Sequence, residues 1–303
     1  MPLSPSALGT HTDAIEHFVD SRWLMAFSAA LGEHQTAYFD TSRTEGIVSH
    51  PLFPICLEWP VALESRERLK QHGLSAEELD RGVHAWHDMR IGRPVQPNEP
   101  LQTSSTVVHI RNSEKGAHVT TCFDTTDTQD FLVARTLSGM FLRNVFVTDE
   151  VVGSVGSPGT YALMDLPEMP KAPDILVQGV GDKEEIVIGS NLAHVYTECA
   201  RIYNPIHTDL SVALNAGLPD IILHGSATLA LAISSIVKRD AESDPSRVAR
   251  IACRFSGMVF MPSKLEMKSI CSSEGPSPVT WFEVTDRNGK NAISEGSVTF
   301  SHL

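Results

Sequence analysis

The run Asn204-Pro205-Ile206-His207-Thr208-Asp209 holds the side chains best suited to proton chemistry in this sequence. An imidazole titrating near pH ~6.5 takes or gives a proton under neutral conditions, so His207 reads as a general acid–base group. Asn204, three residues earlier, can orient a water through its amide. Pro205 between them fixes φ and removes a backbone donor, which stiffens the turn that aims both side chains. Further on, Ile222-Leu-His224-Gly225-Ser226 leads into an apolar helix. A helix N-terminus exposes free N–H groups and a partial positive charge. The amides of Gly225 and Ser226 therefore suit an oxygen gaining negative charge, and Gly225, lacking Cβ, lets a ligand approach the backbone. A base for water, an acid for carbon and donors for an enolate oxygen are what adding water to a carbonyl-conjugated double bond requires. His224 reads as closing the loop before the helix, and Asp209 as the cap of a short helix over 210–216.

The elements that must position these groups occur twice. Trp23, Leu24, Phe27, Ala30 and Leu31 have helical spacing in the first half, as do Leu192, Val195, Tyr196, Cys199, Ile202 and Tyr203 in the second. Each helix runs into a related segment, and aligning Asp40 with Asp209 pairs Tyr38 with His207 and Glu33 with Ile202. A histidine then precedes an apolar helix in both halves: His50 before Pro51-Leu-Phe-Pro-Ile-Cys-Leu, and His224 before Gly225-Ser-Ala-Thr-Leu-Ala-Leu. The second of these carries no charge from His224 to Val237, so it must be buried on all sides. Strand-like alternation follows in each half, for example Thr106–Ile110 and Val279–Val284. Between the halves, Gly153, Gly156, Gly159, Pro158, Pro167, Pro170 and Pro173 read as linker. The expectation is a first domain over 1–147, a linker over 148–178 and a second domain over 179–303.

The chain of 303 residues has room for two domains, and 42% hydrophobic with 20% charged residues is a globular composition. A formal charge of −13, from 24 basic and 37 acidic side chains, repels phosphate backbones and argues against nucleic acid as a partner. Cys56, Cys122, Cys199, Cys253 and Cys271 lie far apart with no C-x-x-C pair, which argues against a zinc site or a disulfide framework and for reduced thiols inside a cell. No secretory signal is visible, and the longest uncharged helix falls short of the ~20 residues that span a bilayer. The terminal Ser301-His302-Leu303 matches a relaxed form of the peroxisomal S-K-L address, and also reads as the finish of a last strand. The expected protein is soluble, cytoplasmic or peroxisomal, with a homodimer possible.

Asn204-Pro205-Ile206-His207-Thr208-Asp209, then Ala213, Gly217-Leu218 and Ile222-Leu-His224-Gly225, resemble the signature of MaoC-like (R)-specific enoyl-CoA hydratases and dehydratases. Gly32-Glu33, Tyr38-Phe39-Asp40 and Ile47-Val-Ser-His50-Pro51 resemble the degenerate N-terminal unit of the fused members. The resemblance implies an α+β tandem double hot dog, each unit an antiparallel sheet wrapped around a buried helix. It implies a hydro-lyase acting on an α,β-unsaturated or β-hydroxy acyl thioester, carried by CoA or a carrier protein, or on a related carbonyl compound. No cofactor or metal is implied. His207 and Asn204 would be catalytic, and Gly225, Ser226, His224 and Tyr38 would bind substrate.

The family pattern has a catalytic Asp five residues before the histidine, where this chain has Ile202. Glu198, one turn back, is one replacement, and Glu33, the aligned residue of the first half, is another. A reaction needing a single acid–base group is the third explanation. Glu33 enters the expected catalytic set on this reasoning. The alternative reading is a hot-dog protein of altered catalysis that binds a thioester or polyketide-like substrate and steers isomerisation or cyclisation. A thioesterase lacks a carboxylate in the motif to activate water. Glu58 and Trp59, on the first apolar helix, have no sequence ground for a place in the site. His84, His87 and Asp88 lie at a strand start and could reach a pocket, surface positions being the default, and Arg90 and Arg93 could pair with a nucleotide phosphate only as single charges rather than a patch.

Overall fold

The computed structural model describes residues 2–148, 160–173, 181–273 and 275–301. Its first half runs β1 (Ile15–Val19), α1 (Ser21–Ala30), α2 (Thr36–Phe39), α3 (Pro54–Lys70), α4 (Ala76–Asp80), β2 (Val83–Ile91), β3 (Glu99–Ser113), β4 (Gly116–Asp127) and β5 (Leu132–Arg143). After β6 (Thr160–Ala162), the second half runs β7 (Asp182–Ile188), α5 (Leu192–Ala200), α6 (Leu210–Asn215), α7 (Gly225–Asp240), β8 (Val248–Phe255), β9 (Ser263–Ser272), β10 (Val279–Thr285) and β11 (Asn291–Phe300).

Among the described residues these strands make one sheet in the order β1-β3-β4-β5-β2-β8-β11-β10-β9-β7, with β6 added beside β3. Read from either edge the order is the same once each strand is replaced by its counterpart, so the sheet carries an approximate two-fold. The halves meet where β2 and β8 pair antiparallel, Trp86 opposite Arg254 and Arg90 opposite Arg250. Each half is a hot dog with its own long helix, α3 or α7. Pro54 stands in the first turn of α3, where a missing N–H is free of consequence. The interior of α7 is buried on nearly every side, as the absence of charge predicts.

One apolar core crosses both halves. Trp23 and Phe27 of α1 meet Phe53, ahead of α3, edge-on at 5.2 and 5.6 Å, and Phe27 reaches Tyr196 of α5 at 5.7 Å. The Trp23 Nε1–H donates to the Cys199 carbonyl (3.1 Å), and Arg201 lies 3.8 Å over the Trp23 ring. The two units thus share buried surface that neither covers alone.

Two sequence expectations change here. The helix expected to run through Ile202 and Tyr203 stops at Ala200, because Arg201 takes a left-handed conformation (φ 58°) and Tyr203 is exposed. The segment read as linker lies partly outside the described residues, but its described part is built into the fold. Thr160–Ala162 pairs with β3, and Met164 and Leu166, like Trp86, pack on Val108, Cys122 and Leu137. No helix among the described residues is long and apolar enough to cross a membrane. His302 and Leu303 of the possible peroxisomal address lie outside the described residues.

Candidate active site

The left-handed residue Arg201 turns the chain out of α5, and Pro205 starts a single 3-10 turn, Pro205–His207, held by the His207 N–H on the Asn204 carbonyl (3.1 Å). His207 is buried, and its Nδ1 lies 2.8 Å from the Ile222 carbonyl oxygen. A carbonyl only accepts, so Nδ1 carries the proton and Nε2 of the neutral ring keeps its lone pair. Burial lowers the imidazole pKa to about 4, against the opposing effect of the Ile222 hydrogen bond. The ring stacks on His224 at 3.7 Å. Burial, then the neighbouring His207, push the pKa of His224 down to about 2, and its Nε2 lies 3.2 Å from Thr197 Oγ1. Both rings are neutral at pH 7.

His224 precedes the first turn of α7, whose first backbone bond is Thr228 N–H to the His224 carbonyl (3.1 Å). The amides of Gly225 and Ser226 therefore lack helical acceptors. The Ser226 hydroxyl accepts from Tyr196 Oη at 3.2 Å, which ties the helix start to α5. Gly225 has a second reason to be glycine. A Cβ there would lie 2.9 Å from Cδ1 of Phe255, so the space is filled by an aromatic ring of β8. Gly225→Ala should displace that ring, costing about 1–3 kcal/mol and lowering turnover. Thermal unfolding and kcat/KM check this, and Phe255→Leu in the same chain should recover the stability.

A cavity of about 500 Å³ opens in front of these groups, lined by Ile202, Asn204, His207, His224, Gly225 and Ser226 from the second half. From the first half it takes one face of α3 (Ile55, Glu58, Trp59, Ala62, Ser65 and Arg66) together with His84 and His87 of β2. Helix-start amides without helical acceptors, a tautomer-fixed imidazole and an apolar trough suit an acyl compound whose carbonyl oxygen gains charge.

The family model described as "MaoC like domain" matches residues 178–287, and the one described as "FAS1-like, dehydratase domain region" matches residues 6–136. The second half is a MaoC-like domain. Over 187 residues the chain is 28% identical to the enoyl-CoA hydratase ChsH3 of Mycobacterium tuberculosis, covering 60% of this chain and 58% of that relative. The crystal structure of a MaoC-like dehydratase from Phytophthora capsici superposes with a TM-score of 0.79 at 20% identity, over 97% of this chain and 96% of that one. A Mycobacterium tuberculosis protein described as a double hot dog superposes with a TM-score of 0.56 at 13% identity, over 97% and 95%. The fold is a double hot dog.

Within the MaoC-like domain the structure brings His207, Asn204, His224, Gly225 and Ser226 to one cavity. Asn204 heads its turn without a side-chain capping bond, which leaves the amide for other partners. Asp209 caps α6, accepting from Ser211 N–H (2.8 Å) and Val212 N–H (3.3 Å). Glu198, one of the carboxylates weighed for the missing Asp, is exposed on an outer groove with Tyr203 and Pro205.

Glu33 and Tyr38 do not line the cavity. Glu33 is buried 3.2 Å from Lys238 at the C-terminal end of α7, and Tyr38 is buried with its ring 6.0 Å from that of His50. The reason is the two-fold itself. Aligned residues of a repeat occupy equivalent sites, one per half, and Glu33, Tyr38 and His50 form the counterpart of Ile202, His207 and His224. Glu33→Gln should leave turnover unchanged while lowering stability by about 1–3 kcal/mol, less than a fully buried pair because water reaches Lys238. Denaturant unfolding beside steady-state kinetics reads both.

The residues that sequence reasoning missed are on the other wall. His87 is buried and lines the cavity, the alternative to the surface position that its place at a strand start made the default. Asp88 is buried too, held by Arg250 at 2.6 and 2.8 Å. His84 packs its ring 4.6 Å from Phe255. Arg93 is occupied by Glu99 (2.8 Å) and Asp127 (3.3 Å). Glu58 is buried in the cavity wall, its carboxyl Oε1 accepting from Thr136 Oγ1 at 2.5 Å. A sequence signal existed: Ile55, Glu58, Trp59 and Ala62 share one helical face, which puts a carboxylate in an apolar stripe.

Proposed function

We propose that this protein is a hydro-lyase that adds water to an α,β-unsaturated acyl thioester, or removes it from the β-hydroxy form, with His207 as the acid–base group. The observation that carries the reading is His207 itself. Its Nδ1–H is committed to the Ile222 carbonyl, so a neutral imidazole presents Nε2 to a cavity that begins at the N-terminus of α7. Asn204 holds the water, and the Gly225 and Ser226 amides receive the thioester oxygen as it becomes an enolate. The apolar face of α3 and Phe255 accommodate the acyl chain. The substrate carries its own CoA or carrier-protein thioester, and no resident cofactor enters the chemistry. The enoyl-CoA hydratase ChsH3 supports this assignment by likeness.

The test is direct. Purified protein incubated with crotonyl-CoA and with longer enoyl-CoAs should bleach the conjugated enoyl absorbance and yield the β-hydroxyacyl-CoA. Tight binding of these compounds with no conversion at any chain length would replace this reading with the binding or isomerising one.

A further inference from the structure

Hydration moves two protons, one off water and one onto the α-carbon, and the position that supplies a second group in the resemblance is Ile202. We propose that Glu58, on the central helix of the first half, is the catalytic acid that exchanges a proton with the α-carbon, opposite His207. The inference rests on that reading, and three observations carry it.

The first is placement. Glu33 is paired with Lys238 and Glu198 faces outward, while among the described residues Glu58 is the carboxylate that shares a cavity with His207. The second is the two-fold. His50 Nε2 meets Ser234 Oγ at 3.2 Å, so the residue heading the first central helix meets the middle of the second. Ser234 lies ten residues beyond His224, and Pro60 ten beyond His50. The same relation applied to the other end sets His224 opposite the turn of α3 around Pro60, next in the chain to Glu58 and Trp59, and His224, Thr228, Glu58 and Trp59 all line the one cavity. The third is His87, 1% exposed on the same cavity wall with neither ring nitrogen hydrogen-bonded to a described residue. A buried ring without protein partners leaves both nitrogens for water or a polar ligand in that cavity.

The protonation states fit. Burial pushes the Glu58 carboxyl up to about 8, more than the Thr136 hydrogen bond pulls it back. The titratable and charged groups around it do not oppose this. Cys56 and Cys122 are thiols held above their usual range, His84, His87, His207 and His224 are neutral, Arg66 is bound by the Leu79 carbonyl at 2.7 Å and Asp80 at 3.5 Å, and Lys290 is exposed to solvent. At pH 7 the cavity holds a base and a carboxylic acid together. In hydration, Nε2 of His207 takes a proton from water as the water oxygen bonds to the β-carbon. The π electrons pass to the enolate, and the α-carbon takes the Glu58 proton. The products are the β-hydroxyacyl thioester, an imidazolium and a carboxylate. Loss of one proton to solvent and gain of one by Glu58 restore the start.

Two experiments test Glu58. With crotonyl-CoA, Glu58→Gln should lose about 100-fold or more in kcat with KM little changed, and Glu58→Asp should recover part of it. Wild-type hydration should fall above about pH 8, where Glu58 ionises, and the residual activity of Glu58→Gln should lack that limb. The second probe is butyryl-CoA in D2O, which has no double bond to hydrate. Its α-protons should exchange in the wild type, faster as pH rises through about 8, and should not in Glu58→Gln. Glu58→Gln within threefold of wild type in either assay overturns the proposal, as does a wild type that exchanges no α-proton. If enoyl-CoAs are not hydrated, the hydro-lyase reading fails separately, and Glu58-dependent exchange still identifies the α-carbon group. Should Glu58→Gln not fold, the pH dependence of exchange in the wild type decides: a flat profile overturns it.

Discussion

His207→Ala should remove enoyl-thioester hydration by about 10²–10⁴-fold in kcat, the range for a lost acid–base group, with KM changed little. The side chain that carries the proton is not one that carries the fold. It forms one hydrogen bond, to Ile222, and one ring contact, to His224, at the edge of a cavity where water can satisfy the freed carbonyl. Unfolding free energy should therefore move by no more than about 1 kcal/mol. The pH profile adds a signature that a structural role would not produce. Burial holds the imidazole pKa to about 4, so the neutral base is fully present at pH 7 and is lost only as pH falls through about 4. Wild-type activity should keep a flat shoulder down to about pH 5. In His207→Ala that acid limb should be absent from whatever rate remains. An alanine variant with near-full activity would remove His207 from the chemistry and with it the whole assignment.

The parts of the site visible in the sequence are those built from neighbours in the chain. Asn204, Pro205 and His207 share one turn, and His224, Gly225 and Ser226 share one helix start, so residue type and spacing define them. Glu58 and His87 enter through tertiary structure. The carboxylate in the apolar stripe of α3 marks Glu58 locally, but that it and His87 share a cavity with His207 follows from the halves joining at β2 and β8, which no local pattern reports. Glu33 shows the opposite error. The alignment that pairs it with Ile202 is sound, but a two-fold sends paired residues to separate sites, so similarity of position was evidence of separation. The end of α5 was missed for a smaller reason. Ile202 is buried and continues the apolar stripe, while the left-handed Arg201 that breaks the helix is held from outside by the Trp23 ring.

Ile202→Asp is the variant that asks whether the two halves have exchanged a catalytic duty. Ile202 is 5% exposed, belongs to the shared core and lines the cavity two residues before Asn204. A carboxyl at this position loses apolar contacts and most of its hydration, which should cost about 2–4 kcal/mol. Pairing with His207 offsets part of that. A carboxylate beside His207 favours the imidazolium, so the imidazole pKa should rise from about 4 and the acid limb of the rate profile should move to higher pH. The decisive form is the double variant. In Glu58→Gln, with the first-half acid gone, adding Ile202→Asp restores a proton donor from the second half, where the resemblance places one. Hydration of crotonyl-CoA should recover by at least about tenfold over Glu58→Gln alone, and the limb near pH 8 should not return, because it belongs to Glu58. Recovery would show one hydratase geometry with its acid moved across the two-fold. A folded double variant that stays at the level of Glu58→Gln would mean that Glu58 reaches an atom of the substrate that a carboxyl at 202 cannot.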